Sequence, residues 1–404
     1  MFTVEKRLLM IIGLEQYKNK WNIHTDSAIH PGLEAITAAL EELGNPHQGG
    51  RFIHLAGTNG KGSTAAFLSA ILQAHGRSVG NFYSPCIEDL HDQIQIDGKP
   101  VCSDELGWAM KQLSGVKTPL TDFELLTAAA FVIFQKRAPD FAIIEAGMGG
   151  ALDSTNVIDP DIAIIPSISI DHTNFLGETI EEIAWHKAGI IKKWKPVVVG
   201  ELPQEAMSIV QETADRLHAE VIQPAGLVDT SLKLKGLHQQ KNASLALEAA
   251  KELLGLEFSE EKAHRGLASA TLAYRFERIL PGVIFDGAHN KASVDALVAT
   301  IQETFPEHPI HIVMGIFKDK DYVYALRQLE TVSDHFTFVE FDNERALPAK
   351  VLFNESRCKR KTITNICDIL PVSGREEETI VTGSLYLLAV LRNSANSFFQ
   401  HYQS

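Results

Sequence analysis

The apolar residues of this chain follow two spacings. Short runs at Phe52 to Ala56, Ser78 to Tyr83, Asp140 to Glu145, Asp161 to Ile170 and Pro196 to Gly200 read as buried strands. Between them, apolar positions recurring every three or four residues predict helices at Thr3 to Met10, Gly32 to Leu43, Ala65 to Leu72, Leu125 to Gln135 and Thr179 to Lys192. Gly44-Asn-Pro46 and His75-Gly76 stop two of these helices, and Thr121 or Asp122 caps a third. Residues 22–32 read as a polar loop, and residues 90–100 as a strand and a turn around Asp97-Gly98. Continuous apolar strands alternating with helices imply a parallel sheet covered on both faces, with ligands beyond the carboxyl ends of its strands. Gly57 to Thr64, Ser84, Glu145 and His172 all fall at such ends.

After an alanine-rich helix that follows Gly236, the pattern breaks near Thr271 to Glu277. Strands at Gly282 to Phe285, Ile310 to Met314, Phe336 to Phe341 and Thr379 to Thr382 then predict a second α/β unit. The expected fold class is α/β: residues 1–272 form a parallel-sheet domain whose glycine-rich turn Gly57-Thr-Asn-Gly-Lys-Gly-Ser63, between strand and helix, reads as that of a P-loop ATPase, and residues 273–404 form a smaller Rossmann-like α/β domain. A length of 404 residues suits two cores. The net charge of −14 argues against a nucleic-acid or anionic-membrane partner, and no apolar run approaches spanning length. Cys86, Cys102, Cys358 and Cys367 lack paired spacing and read as reduced thiols of a cytoplasmic protein; no signal peptide is expected.

The chemistry starts at Arg51-Phe-Ile-His-Leu-Ala-Gly-Thr-Asn-Gly-Lys-Gly-Ser-Thr64. Strand, glycine turn, lysine, hydroxyl and helix form a phosphate cradle in which Lys61 reaches a β- or γ-phosphate and Ser63 or Thr64 reaches magnesium. The spacing is shorter than in the strict phosphate loop, and Gly62 separates Lys61 from Ser63. Glu145, closing a buried strand, is either a magnesium ligand or a turn-capping acid. His172 alone suggests zinc or manganese, or an ordinary hydrogen-bonded histidine. Lys187 shares the apolar face of Ile180, Ile183, Ala184, Ala188 and Ile191. It must be paired or chemically altered, or must snorkel to the surface.

Gly57-Thr-Asn-Gly-Lys-Gly-Ser63 resembles the ATP loop of the Mur ligase superfamily, in particular the folylpolyglutamate synthase/dihydrofolate synthase family. Similar matches follow in family order: Ile144 to Asn156, Ser169 to Gly177, Ile183 to Lys192, Gln239-Gln-Lys-Asn242, Asp286-Gly-Ala-His-Asn290, Gly315 to Asp321 and Gly383 to Leu387. The resemblance implies magnesium at Ser84, Glu145 and His172, and a carbamylated Lys187 presenting a carboxylate to a second metal. It implies ATP on Gly57, Thr58, Asn59, Gly60, Lys61, Gly62 and Ser63, with adenine at Asn242 and phosphate or nucleotide contacts from Arg275, Asp286 and His289. It places a pterin at Ile29, His30, Pro31 and Gly32, at Thr121, Asp122, Phe123 and Glu124, and at Leu152, Asp153 and Ser154. Without the resemblance, Phe123 reads equally as a core aromatic and Asp153 as a turn former. Three positions depart from the family's usual pattern: Cys86, His186, and Ala273-Tyr274, where Pro-Gly commonly precedes the arginine.

The expected function is an ATP-dependent ligase joining L-glutamate to a folate or dihydropteroate carboxylate through an acyl phosphate. Lys61, Lys187, Arg275 and His289 are its catalytic candidates, ATP and Mg2+ its cofactors, and a cytoplasmic monomer its expected state. The alternatives are a Mur-type ligase with another acid acceptor, or a catalytically weak nucleotide-binding paralogue.

Overall fold

The computed structural model describes residues 13–26, 31–86, 89–369 and 377–392. The described residues divide into two compact units. One holds the residues up to Ser231 together with Gln240–Ala270, and the other holds Leu232–Gln239 and the residues from Thr271 onward. The short return of 232–239 to the second unit has no counterpart in the hydrophobic pattern.

The first unit contains β1 (Thr25–Asp26), β2 (Phe52–Leu55), β3 (Val79–Phe82), β4 (Ile94–Ile96), β5 (Lys99–Pro100), β6 (Leu120–Thr121), β7 (Phe141–Glu145), β8 (Ile162–Ile165), β9 (Val197–Val199) and β10 (Val221–Ile222). Strands β1 and β6 pair alone, β1 falling inside the segment read as a polar loop. The main sheet runs β10-β9-β8-β2-β7-β3-β4-β5, parallel from β10 to β3 and antiparallel at the β3–β4–β5 edge. β2 lies at its middle, so its carboxyl end opens between those of β7 and β8.

In register, Phe52 and His54 share a face with Ala142, Ile144 and Ala163. On that face, one apolar cluster packs with the helices Glu34–Glu42, Ser103–Leu113 and Asp122–Arg137. A second packs with Ile180–Ala188 and Gln204–Leu217. Lys61–Ala74 packs on β3 and β7, and Glu260–Ser269 packs on Lys61–Ala74 in turn. This last contact is a backbone approach: a Cβ at Gly266 would stand 2.6 Å from Ala70 O and 2.7 Å from Ile71 Cα.

The second unit contains β11 (Glu277–Leu280), β12 (Val283–Asp286), β13 (Ile310–Met314), β14 (His335–Glu340), β15 (Arg360–Asn365) and β16 (Glu378–Thr382). Their order is β11-β12-β16-β13-β14-β15, parallel except for β11. Neither β11 nor β15 was expected: both are edge strands, and in β15 polar residues dominate.

Several element bounds differ from the sequence reading. The helix expected at Thr3 to Met10 lies outside the described residues, and Leu14–Trp21 forms a helix whose polar sequence buries only Leu14. The strand expected to reach Ile170 ends at Ile165, because Pro166 cannot donate to the ladder. The helix expected to reach Lys192 ends at Ala188, with Gly189 as its C-cap.

The approach at Gly266 yields a test. Gly266→Val has no room on the helix that carries the phosphate loop. It is expected to lower stability by about 2 kcal/mol, read as a lower urea midpoint with unchanged slope.

Candidate functional site

The loop after β2 is built against the segment after β8. Thr58 N–H donates to Ser167 O (2.9 Å) and Asn59 N–H to Ser167 Oγ (3.0 Å). Thr58 Oγ1 exchanges hydrogen bonds with the Ser169 backbone, both at 3.0 Å. The Thr58 and Asn59 amides therefore fix the loop's shape. The first-turn amides of Lys61–Ala74 are ones that a helix leaves without internal partners. No side chain caps that helix, whose N-cap is Gly60 at φ +87°. A side chain at Gly60 would be strained and would meet Asn242 Oδ1 at 2.5 Å. An uncapped helix start under a glycine turn is an anion site.

Lys61 Nζ donates to Gly57 O (2.8 Å) and lies 3.8 Å from Glu145 Oε1. Glu145 closes β7 in register with Leu55, and both members of the pair are largely shielded from solvent. The phenol of Tyr83 is pushed well up by burial and then by the Glu145 charge. Ser84, half-buried, is joined to Pro85 by a cis peptide bond.

Lys187 is 3% exposed. Its ammonium is pushed down to about 7, first by burial and then by the charge of Lys61, against the opposing pull of Asp171 and Asp153. The structure thus gathers Lys61, Glu145 and Lys187 with Asp171 and Asp153 in electrostatic reach. His172 follows Asp171 with φ +53°, its side chain about half exposed and its Nε2 4.0 Å from the Asp171 carboxylate.

Thr64 Oγ1 is buried without a hydrogen-bond partner, and Ser63 beside it is buried as well. Among the described residues, no group of three or more His, Cys, Asp or Glu side chains is arranged to hold a metal ion. The donor set fits an ion that takes hydroxyl, carboxylate, phosphate and water oxygens together, which is magnesium's habit.

Of the proposed pterin residues, Ile29 and His30 lie outside the described residues. Pro31 is exposed and Gly32 has φ +145°. Thr121 and Glu124 form a capping box at the start of Asp122–Arg137. Asp122 accepts from Lys18 Nζ (3.0 Å) and Thr25 Oγ1 (2.6 Å). Ser154 Oγ bonds Thr127 Oγ1 (2.9 Å). Asp153 accepts from Met148 N (2.8 Å), Thr155 N (3.0 Å) and Thr155 Oγ1 (2.5 Å), so its turn-forming duty is visible. Burial nevertheless raises its carboxyl above the usual range. Thr155 Oγ1 also bonds Nε2 of fully buried His54 (2.9 Å), whose imidazole burial pushes down to about 3. The Phe123 ring lies on the Gly147 backbone and stacks on Phe82 (5.8 Å, 28°), while Leu152 is exposed.

In the second unit, Asp286 ends β12 and accepts from Phe276 N and Ala288 N, both at 2.9 Å. Burial pushes its carboxyl up to about 6, opposed by Arg275. His289 Nδ1–H donates to Gly287 O (2.8 Å). His238 is pushed down to about 4 by burial and by Arg275. Sequence reasoning assigned nothing to His54, His238 or Tyr83. Only the apolar surroundings of His54 in its strand hinted at a buried polar group.

Residues 55–222 match the Mur ligase middle domain, and residues 274–377 match the Mur ligase, glutamate ligase domain. Fold and loop together define a Mur-type ligase. The chain is 36% identical to the dihydrofolate synthase/folylpolyglutamate synthase of Bacillus subtilis, over 90% of this chain and 95% of that one. Among solved structures, it is similar to Escherichia coli FolC in complex with DHPP and ADP, with a TM-score of 0.86, 28% identity, and coverage of 95% of this chain and 97% of that one. It is also similar to Mycobacterium tuberculosis folylpolyglutamate synthase complexed with ADP and AMPPCP, with a TM-score of 0.84, 28% identity, and coverage of 95% and 97% respectively. The chain belongs to the folylpolyglutamate synthase/dihydrofolate synthase family.

The buried lysine makes a pH prediction. Its folded value near 7 lies below the ordinary 10.5, so between those limits the unfolded chain binds more protons. Native stability should therefore rise with pH through that window, while below about 7 the full penalty applies. In CO2-free buffer, Lys187→Met should be the more stable protein by a few kcal/mol at pH 6, with the advantage shrinking toward pH 10.5. Melting curves across pH check the slope.

Proposed function

We propose that this enzyme uses ATP to join L-glutamate to a folate-type carboxylate. The observation that carries the reading is the meeting of Lys61, Glu145 and a buried, easily neutralised Lys187 at an uncapped helix start. The acceptor's carboxylate oxygen attacks the γ-phosphorus in line, the bond to the β–γ bridging oxygen breaks, and an acyl phosphate and ADP result. Glutamate's amine then attacks the acyl carbon, loses a proton and expels inorganic phosphate. The protein's part is positioning and charge neutralisation.

In this reading Lys61, Arg275 and His289 neutralise phosphate charge, Gly57 to Ser63 cradle the nucleotide, Asn242 meets adenine and Asp286 contacts the nucleotide. Ser84, Glu145 and His172 hold magnesium, which supplies further charge neutralisation when bound. A lysine that ionises near 7 has the free amine that attacks CO2, and the resulting carbamate replaces a cation with a carboxylate, so Lys187 is taken as carbamylated. Phe123 and Leu152 offer apolar surface to the pterin ring, with Pro31, Gly32 and the 121–124 and 153–154 segments shaping the pocket. Residues 1–272 form the ATP- and folate-binding domain and residues 273–404 the ligase domain. The enzyme is read as a cytoplasmic monomer without nucleic-acid or membrane partners; no helix among the described residues is long and apolar enough to cross a membrane.

The test is glutamate-dependent ADP release, with dihydropteroate compared against tetrahydrofolate as acceptor. Turnover with either supports the reading and assigns the acceptor. Turnover only with another acid moves the chain to a different ligase, and ATP binding without turnover marks a weak paralogue. Lys187→Ala should lose activity at least about a hundredfold, as expected for a group serving the transition state, with partial rescue by short carboxylates. Full activity in that variant removes the carbamate.

A further inference from the structure

We infer that Glu277 and Arg392 are positioning residues for Arg275, acting through a strained turn that they lock from one side while Asp286 locks it from the other. The inference rests on the reading that Arg275 meets the phosphates, and it concerns how the chain holds that side chain.

Arg275 stands between two aromatic residues with left-handed backbone, Tyr274 at φ +59° and Phe276 at φ +49°. Bulky side chains avoid this region, so the turn persists only where its surroundings impose it. On the Tyr274 side, Glu277 Oε2 accepts from Tyr274 N–H (2.8 Å) and Gly287 N–H donates to Tyr274 O (3.0 Å). The Tyr274 ring is fully buried, stacked near Phe285 (6.2 Å, 22°), and covered by the Arg392 guanidinium at 4.7 Å. Arg392 also donates to Glu277 Oε1 (2.6 Å). One guanidinium therefore orients the carboxylate that holds the Tyr274 amide and roofs the ring of the same residue.

On the Phe276 side, Asp286 Oδ2 accepts from Phe276 N–H (2.9 Å). Between the two locks, the Arg275 side chain crosses Gly287 so closely that a Cβ there would stand 2.8 Å from its Nη1. Arg392 comes from the helical residues 385–392, far along the chain from the turn. Its job is legible only in the folded unit.

The experiment uses the full chain. Arg392→Leu, Glu277→Ala and Glu277→Gln are made alone and in an Arg275→Ala background. Melting temperatures are recorded, together with ADP release as a function of ATP at saturating glutamate and acceptor, and as a function of glutamate at saturating ATP and acceptor. With Arg275 present, Arg392→Leu and Glu277→Ala should lower kcat/KM for ATP about tenfold while leaving the KM for glutamate unchanged. Glu277→Gln, which keeps an acceptor for the Tyr274 amide, should lose less. In the Arg275→Ala background, the same substitutions should change kcat/KM by less than about twofold, yet lower the melting temperature as before.

An equal kinetic loss in both backgrounds, or none in either, would show a merely structural pair and overturn the proposal. If Arg275→Ala impairs ATP use and the clamp variants do not, the clamp alone fails. If Arg275→Ala itself leaves kcat/KM for ATP unchanged, the phosphate reading fails and takes the clamp with it.

Discussion

Two lysines approach one buried region, and they cannot both remain charged there at low cost. Lys61 solves its problem with the Gly57 carbonyl and the Glu145 carboxylate. Lys187 has only the more distant pull of Asp171 and Asp153 against burial and the repulsion of Lys61. Its proton is therefore held loosely near neutrality, which is unusual for lysine and useful chemically. Two buried cations would draw anionic phosphate strongly but nonselectively. One cation beside a carboxylate, with a neutral or carboxylated neighbour, can instead share the nucleotide's charge with a divalent ion.

This electrostatic arrangement depends on a rigid frame. β2, β7 and β8 end side by side, and their carboxyl ends supply the phosphate loop, Glu145 and the 166–169 segment that braces the loop. Below them, His54 links β2 to the Asp153 turn through Thr155. That turn is itself bonded to the Met148 amide, so Asp153 is fixed by the same parts that bring it near Lys187. Burial of His54 as a neutral imidazole lets this link run through an apolar layer without adding another charge.

Much of this was legible in the residues. The sheet class, the phosphate loop, the strand-end position of Glu145 and the place of Lys187 on an apolar helix face all follow from runs and periods that parallel sheets and amphipathic helices impose, whereas the choice between burial and snorkelling at Lys187 does not. The edge strands β11 and β15 were not legible, because edge positions do not demand an apolar run. The helix Leu14–Trp21 escaped for a related reason: it buries one residue and carries little periodic signal. In the site, the resemblance implies that Thr58 and Asn59 belong to the nucleotide loop. That their amides bond Ser167, a tertiary partner more than a hundred residues away, is something no local pattern announces. The cap at Thr121 and the turn at Asp153 were legible locally, whereas the partners of Asp122, Lys18 and Thr25, emerge only in three dimensions.

The exceptions to local rules are unevenly distributed, and that unevenness is itself informative. Among the described residues, most non-glycine residues with positive φ are Asn, Asp or His, which tolerate it, or Ala138 at a helix end. The bulky ones are Trp194, Tyr274 and Phe276, and two of these three flank Arg275. The family pattern commonly supplies glycine before this arginine, a residue that adopts the turn freely but also unfolds it freely. Tyrosine makes the same turn costlier in isolation and firmer once packed, because its ring gives the surrounding unit something to grip. The turn that carries Arg275 therefore rests on tertiary enforcement rather than local ease, and Asp286, Glu277 and Arg392 supply its hydrogen bonds and its roof.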